Sequence, residues 1–156
     1  MSKTRTAYAV SFLTIGIIWI NHHAMLRRIV NVDHAILMLN LLLLLTIGVL
    51  PFSTALMAEY LKVTPGRNLA AVIYGGSFLL MSLAFFGMQR HLLVAKHHLL
   101  DERLTPDLRR AVLRRNAAGL VPYAVATLGG ILTPYFTLAV CAAVAGFYAL
   151  PGTTSD

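Results

Sequence analysis

AILMLNLLLLLTIGVLPFSTALMA, residues 35–58, contains no charged side chain. A helix needs about 20 apolar residues to cross roughly 30 Å of hydrocarbon, and this run meets that length. A water-soluble core does not explain it. The whole chain agrees: of its 156 residues 58% are hydrophobic and only 12% charged, against roughly 25% charged in soluble domains. The fold class this implies is all-α, a polytopic membrane helical bundle forming a single domain over residues 1–156.

Working outward, four more apolar runs complete five expected transmembrane helices at about 7–25, 35–58, 69–88, 117–132 and 135–150. Thr64, Pro65 and Gly66 stop one helix and let the next begin. Residues 89–116 form a charged connector, in which Thr105-Pro106-Asp107 is a helix-start signal with Thr105 as the cap. The third span is expected to continue as a helix through His91 and Lys96 towards Leu100. Gly129, Gly130 and Pro134 separate the last two spans, since one unbroken helix of that length would overshoot the bilayer. The first run outlasts a signal peptide and lacks a small-residue cleavage site. Cys141, the single cysteine, lies in an apolar run as a small packing residue and has no intrachain disulfide partner.

The net charge of +7 is placed between apolar runs, where cytoplasmic loops of membrane proteins collect Lys and Arg. No basic and aromatic surface is interleaved for bases to stack on, so nucleic acid is not a partner; the lipid bilayer is. With five spans, Arg27, Arg28, Arg90, Lys96, Arg103, Arg109, Arg110, Arg114 and Arg115 fall on one side, and Lys3, Arg5, Lys62 and Arg67 on the other. The first side is then cytoplasmic. The chain reads as a multi-pass protein of the cell membrane with its C-terminus inside and its N-terminus outside. Such an N-terminus would be ordinary if one more helix preceded Met1.

Chemistry-bearing residues are sparse. All six histidines lie on the expected cytoplasmic side, but adjacent histidines on a helix point about 100° apart. No Glu-x-x-His pair or acidic cluster completes a metal shell, so no metal or cofactor is expected. No nucleophile-base-acid set marks an enzyme. The hydroxyls within the spans have ordinary uses on helix carbonyls. Small residues at four-residue spacing (Ala126 and Gly130, Ala139 and Ala143, Ala142 and Gly146) are read first as packing of the fourth span on the fifth, and second as an oligomer contact.

The stretch GIIWINHHAMLRRI, residues 16–29, is different. An apolar helix runs into Trp19, then a polar knot of Asn21, His22 and His23, then Arg27 and Arg28. Asn40 lies about one and a half turns into the second span from the same side. Asn21, His22 and Asn40 therefore share a depth across one helical hairpin, and buried polar groups there need partners. A structural hairpin bond and a part in an ion-path network both remain open on these residues alone.

Residues 11–60 resemble the transmembrane protein 175 family of potassium-permeable channels, in particular its prokaryotic members. The resemblance rests on Trp19-Ile20-Asn21-His22-His23, on Arg27, Arg28 and Asp33 as a basic and acidic motif of the cytoplasmic face, on Leu39-Asn40-Leu41, and on Leu50-Pro51-Phe52-Ser53-Thr54. The rest of the chain matches in layout. The resemblance implies six helices per subunit with both termini cytoplasmic, tetrameric assembly and potassium favoured over sodium. The helices here look like the family's second to sixth. The family's first helix lines the pore and its hydrophobic constriction and carries an Arg-x-x-x-Phe-Ser-Asp motif, which is absent here. His22 matches the histidine that this motif bonds, so Trp19, Asn21, His22 and Asn40 are the candidate ion-path and hydrogen-bond network.

The chain accordingly reads as a truncated member of a potassium-selective leak channel family, forming or contributing to a cation pore, as a homo-tetramer or with a full-length relative. The alternative is a non-conducting scaffold or accessory subunit. No Thr-Val-Gly-Tyr-Gly-like loop is present to replace an ion's hydration shell, so hydrophobic gating is expected. The reading frame upstream of Met1 is expected to encode the missing motif on a helix; a stop codon or polar linker there overturns the truncation.

Overall fold

A computed structural model describes residues 16–20, 22–27, 29–62, 65–96 and 105–149. Every regular element among them is helical. Helix α1 comprises residues 16–20 and 22–26. It is followed by α2 (His34–Tyr60), α3 (Arg67–Arg90), α4 (Pro106–Ala118), α5 (Leu120–Gly129) and α6 (Pro134–Ala149). Expectations that fall on Asn21, Arg28, His97, His98, Arg103 and most of the first span's leading half lie outside the described residues.

Among the described residues two helices are long and apolar enough to cross a membrane, His34–Tyr60 and Arg67–Ala95. At 27 residues α2 is about 40 Å long, enough for the hydrocarbon core with a turn to spare at each end. It is apolar on every side. Ile36, Leu43, Leu50 and Met57 recur at seven-residue spacing and are buried, while Leu41, Leu44, Leu45 and Phe52 face outward. So large an exposed apolar surface belongs in lipid or against a neighbouring helix. The protein is a membrane protein.

Proline and hydroxyl chemistry shape the helices. Pro51 removes one backbone donor inside α2, and the hydroxyls of Ser53 and Thr54 both donate to the Leu50 carbonyl beside it, at 3.1 and 2.7 Å. Thr46 and Ser77 likewise donate to the carbonyls of Leu43 and Ile73, each at 2.7 Å. In hydrocarbon this is how a short polar side chain stays satisfied. Thr105 accepts from the Leu108 amide at 3.4 Å, with Pro106 at the first helical position.

The α4–α5 boundary is Gly119 alone, so the charged connector runs almost directly into the next apolar helix. The connector therefore extends beyond residue 116, and the helix after it begins later than 117. Pro122 supplies the cause: it has no N–H for the Ala118 carbonyl, and its ring crowds that carbonyl.

Helix α3 is the centre, packing against α2, α5 and α6. Its approach to the α5–α6 hairpin is close because of two glycines. A Cβ on Gly75 would stand 3.0 Å from Thr127 Cα, and one on Gly130 would stand 2.9 Å from Thr137 Oγ1 and 3.1 Å from the Ala71 backbone. Thr137 also donates to the Ala126 carbonyl at 2.8 Å, tying α6 to α5. Phe78 stacks on Tyr123 (centroids 5.7 Å apart) and meets Tyr74 edge-on at 5.1 Å.

Of the small-residue pairs, Ala126 and Gly130 are buried in this packing. Ala139, Ala142, Ala143 and Gly146 are exposed, which corrects the expectation that they pack α6 on α5. The buried face of α6 is Pro134, Thr137 and Cys141 instead, one helical stripe that leaves the alanines outward.

Gly130→Val is expected to destabilise the protein by about 1–3 kcal/mol through overpacking. Gly48→Ala, where a Cβ meets nothing within 4 Å, is expected to be neutral or stabilising. Thermal unfolding in detergent micelles separates the two.

Candidate functional site

The polar knot at the end of α1 divides by helix face. His22 is 8% exposed and Met25, one turn on, is 3% exposed; both point into the bundle. Trp19 and His23, four residues apart and hence also on one face, point outward, with Trp19 60% exposed. Their rings stack at 5.0 Å between centroids and 10° between planes. An indole stacked at a helix end is suited to the membrane–water boundary.

His22 meets Asn40 across the α1–α2 hairpin, Nε2 to Oδ1, at 2.6 Å. With the amide oxygen as acceptor, His22 Nε2–H donates, which leaves Nδ1 as the other ring nitrogen. The structure thus brings together two of the four network candidates. Trp19 is on the other face of α1, and Asn21 lies outside the described residues. Interhelical bonds of this kind average about 0.6 kcal/mol in membranes, too little to carry the fold. Their effect is on geometry: one 2.6 Å bond sets the rotation and depth of α1 against α2.

A second fastening lies at the same end. Asp33 is the N-cap of α2 and accepts from the Ile36 amide at 2.9 Å. Its other oxygen pairs with Lys96 Nζ at 3.1 Å. Lys96 follows a π-helical turn, His91–Ala95, that continues α3, and its amide donates to the His91 carbonyl at 3.0 Å. The carboxyl of Asp33 is held below its ordinary value of 3.8, first by the Ile36 amide and then by Lys96. Arg27 is exposed, so the motif of Arg27, Arg28 and Asp33 does not close on Arg27; the acidic member closes on Lys96.

Sequence reasoning missed Lys96, which is far from Asp33 along the chain and carries no local signal. The Trp19–His23 stack was readable from its four-residue spacing. At the opposite end of the bundle Asn68 Nδ2 donates to the Ile131 carbonyl at 2.8 Å, holding the start of α3 to the α5–α6 turn. Among the described residues no three His, Cys, Asp or Glu side chains are grouped as metal ligands.

Because folding lowers the Asp33 value, its contribution is present in full above the ordinary carboxylate range and fades as pH falls through the lowered value. Amide exchange at Ile36 is expected to stay protected from pH 7 down through the ordinary carboxylate range and to lose protection only below 3.8. At neutral pH, Asp33→Ala should lose that protection and Lys96→Met should keep it, since the cap bond survives. Equal exchange in both variants would show that the cap does not hold this turn.

Comparison with known proteins adds what geometry alone does not. Residues 1–51 match the family of the endosomal/lysosomal potassium channel TMEM175. A potassium channel of Streptomyces collinus is 37% identical over 142 residues, 91% of this chain and 68% of the relative. One of Chamaesiphon minutus is 32% identical over 144 residues, 92% of this chain and 70% of the relative. The crystal structure of a lysosomal potassium-selective channel TMEM175 homologue from Chamaesiphon minutus superposes with a TM-score of 0.79 at 30% identity, covering 96% of this chain and 73% of that one. This is a family of channels, so the protein is not an enzyme. With the fold, the residues of the polar knot and relatives matched over nine-tenths of its length, the chain belongs to the TMEM175 potassium channel family.

Proposed function

We propose that this chain contributes to a potassium-permeable pathway across the cell membrane. The observation that carries this reading is the His22–Asn40 bond at 2.6 Å, in a chain whose relatives are potassium channels. A pathway for a cation between helices needs the helices held at a defined rotation, and this bond holds α1 against α2. His22 and Asn40 are its polar centre, with Arg27 and Asp33 at the adjoining water boundary, and Trp19, Asn21 and Arg28 are carried as further candidates by the sequence alone.

Gating in this reading is hydrophobic. The helices that could border a path present Leu, Ile and Phe, and such a constriction closes by dewetting. The chain works as an oligomer, as a homo-tetramer or with a longer relative. Ala139, Ala142, Ala143 and Gly146 support this, because small exposed residues on α6 let a neighbouring backbone approach closely. The C-terminus is cytoplasmic and the N-terminus outside. The pairing of Asp33 with Lys96 supports this orientation, since it gathers Arg27, Arg90, Lys96 and α4 at one end of the bundle, where the positive-inside rule sets the cytoplasm.

The test is potassium flux from liposomes holding the purified 156-residue chain, against empty liposomes and against sodium. Potassium flux above sodium flux is expected, falling several-fold in His22→Ala and in Asn40→Leu, with the double variant no worse than either single one. No flux from a correctly assembled oligomer would assign the chain instead to a non-conducting accessory role.

A further inference from the structure

A cavity of about 140 Å³ lies where the helices meet. Its walls are apolar, including Met25 from α1, Leu43 from α2, Phe78, Met81 and Phe85 from α3, and Tyr123 from α5. Met25 follows His22 by one turn and Leu43 follows Asn40 by one turn, so the cavity adjoins the hairpin bond. Cavities of this size lined by Leu, Met and aromatic side chains stay dry and accept apolar groups.

One end of the cavity is polar. It is formed by Gln89 near the end of α3 and by Arg115 and Asn116 in the last turn of α4. Gln89 is only 7% exposed, a polar amide held inside. Asn116 Nδ2 is buried and has no hydrogen-bond partner. Arg115 offers N–H donors and no acceptor. Arg115 and Asn116 both line this end of an apolar slot, one carrying positively charged N–H groups and the other an unpartnered amide N–H, and a negatively charged oxygen acceptor suits such a lining. Arg115 and Gln89 also lie at the Arg90 end of the bundle. An amphiphile entering from the bilayer meets this level with its head while its tail points into the hydrocarbon.

We infer that this cavity binds an alkyl chain carrying an anionic oxyacid head, the chain lying among Phe78, Met81 and Tyr123 and the head on Arg115 and Asn116. A free long-chain carboxylate and a phospholipid with an exposed phosphate share this chemistry.

The experiment uses the full chain in detergent micelles and tetradecanoic acid bearing a diazirine at mid-chain, because a cavity of about 140 Å³ holds the part of the chain near the head and leaves the methyl end in the surrounding apolar phase. After photolysis, adducts are mapped by peptide mass spectrometry. Adducts are expected on Phe78, Met81 and Tyr123, reduced about tenfold in Arg115→Gln, the loss of a charge-assisted hydrogen bond. They should vanish in Met81→Trp, which fills the slot. Arg115 is exposed, so its replacement keeps folding out of the result. Competition by unlabelled tetradecanoate identifies a free carboxylate, competition by phosphatidic acid a lipid phosphate, and either supports the site. Tetradecanol competing as well as the acids, failure of both acids to compete, labelling unchanged in Arg115→Gln, or adducts confined to outward residues such as Leu44 and Leu45 would each overturn it.

Discussion

A polar side chain in hydrocarbon has no water to bond, and this one constraint accounts for most of the specific contacts in the protein. Thr46, Ser53, Thr54, Ser77 and Thr127 return their hydroxyls to carbonyls three or four residues back on their own helices. Such bonds add no information about neighbours. Among the described residues, away from the ends of the bundle, Thr137 and His22 behave differently and reach across helices, Thr137 to the Ala126 carbonyl and His22 to Asn40. Those two bonds define how α6 sits on α5 and how α1 sits on α2. Apolar packing alone is tolerant of rotation, because lipid and leucine are chemically alike and neither prefers the other strongly.

The α2–α3 hairpin is the frame on which the rest is hung, and ordinary water-boundary chemistry fastens both of its ends. Asp33 joins the start of α2 to the end of α3 through Lys96, while Asn68 joins the start of α3 to the α5–α6 turn. Between these ends, glycines 75 and 130 let backbones touch. The frame places the His22–Asn40 bond one turn from a largely apolar cavity with a polar rim. A ligand in that cavity would lie against the same turns of α1 and α2 that the bond aligns.

Family membership and local geometry bear on different parts of the chain. The family match over residues 1–51 takes in His22, Asp33 and Asn40, three of the four residues that make the two fastenings at the basic end, with Lys96 beyond it. The relatives extend the likeness over nine-tenths of the chain, including α4 to α6, where the sequence carries few polar landmarks of its own. The family match therefore falls on the polar knot and on its partner Asn40. The α5–α6 hairpin supports α3 on one face and turns Ala139, Ala142, Ala143 and Gly146 outward on the other.

Hydropathy by itself determined that this is an all-helical membrane protein, because only a helix satisfies its own backbone across hydrocarbon without a closed sheet. Spacing by itself put Asn40 level with His22 and Thr105 at a helix start, since each of those relations is local or set by helical rise. The tertiary structure decided the rest. Helices α2 and α6 are apolar all round, so no periodicity marks the face that packs; the outward turn of Ala139, Ala142, Ala143 and Gly146 was invisible for that reason. Lys96 as the partner of Asp33, and Gln89 with Asn116 at the rim of a cavity, join residues far apart along the chain. Local residue chemistry says that such groups need partners, and only the arrangement of the helices says which ones they meet.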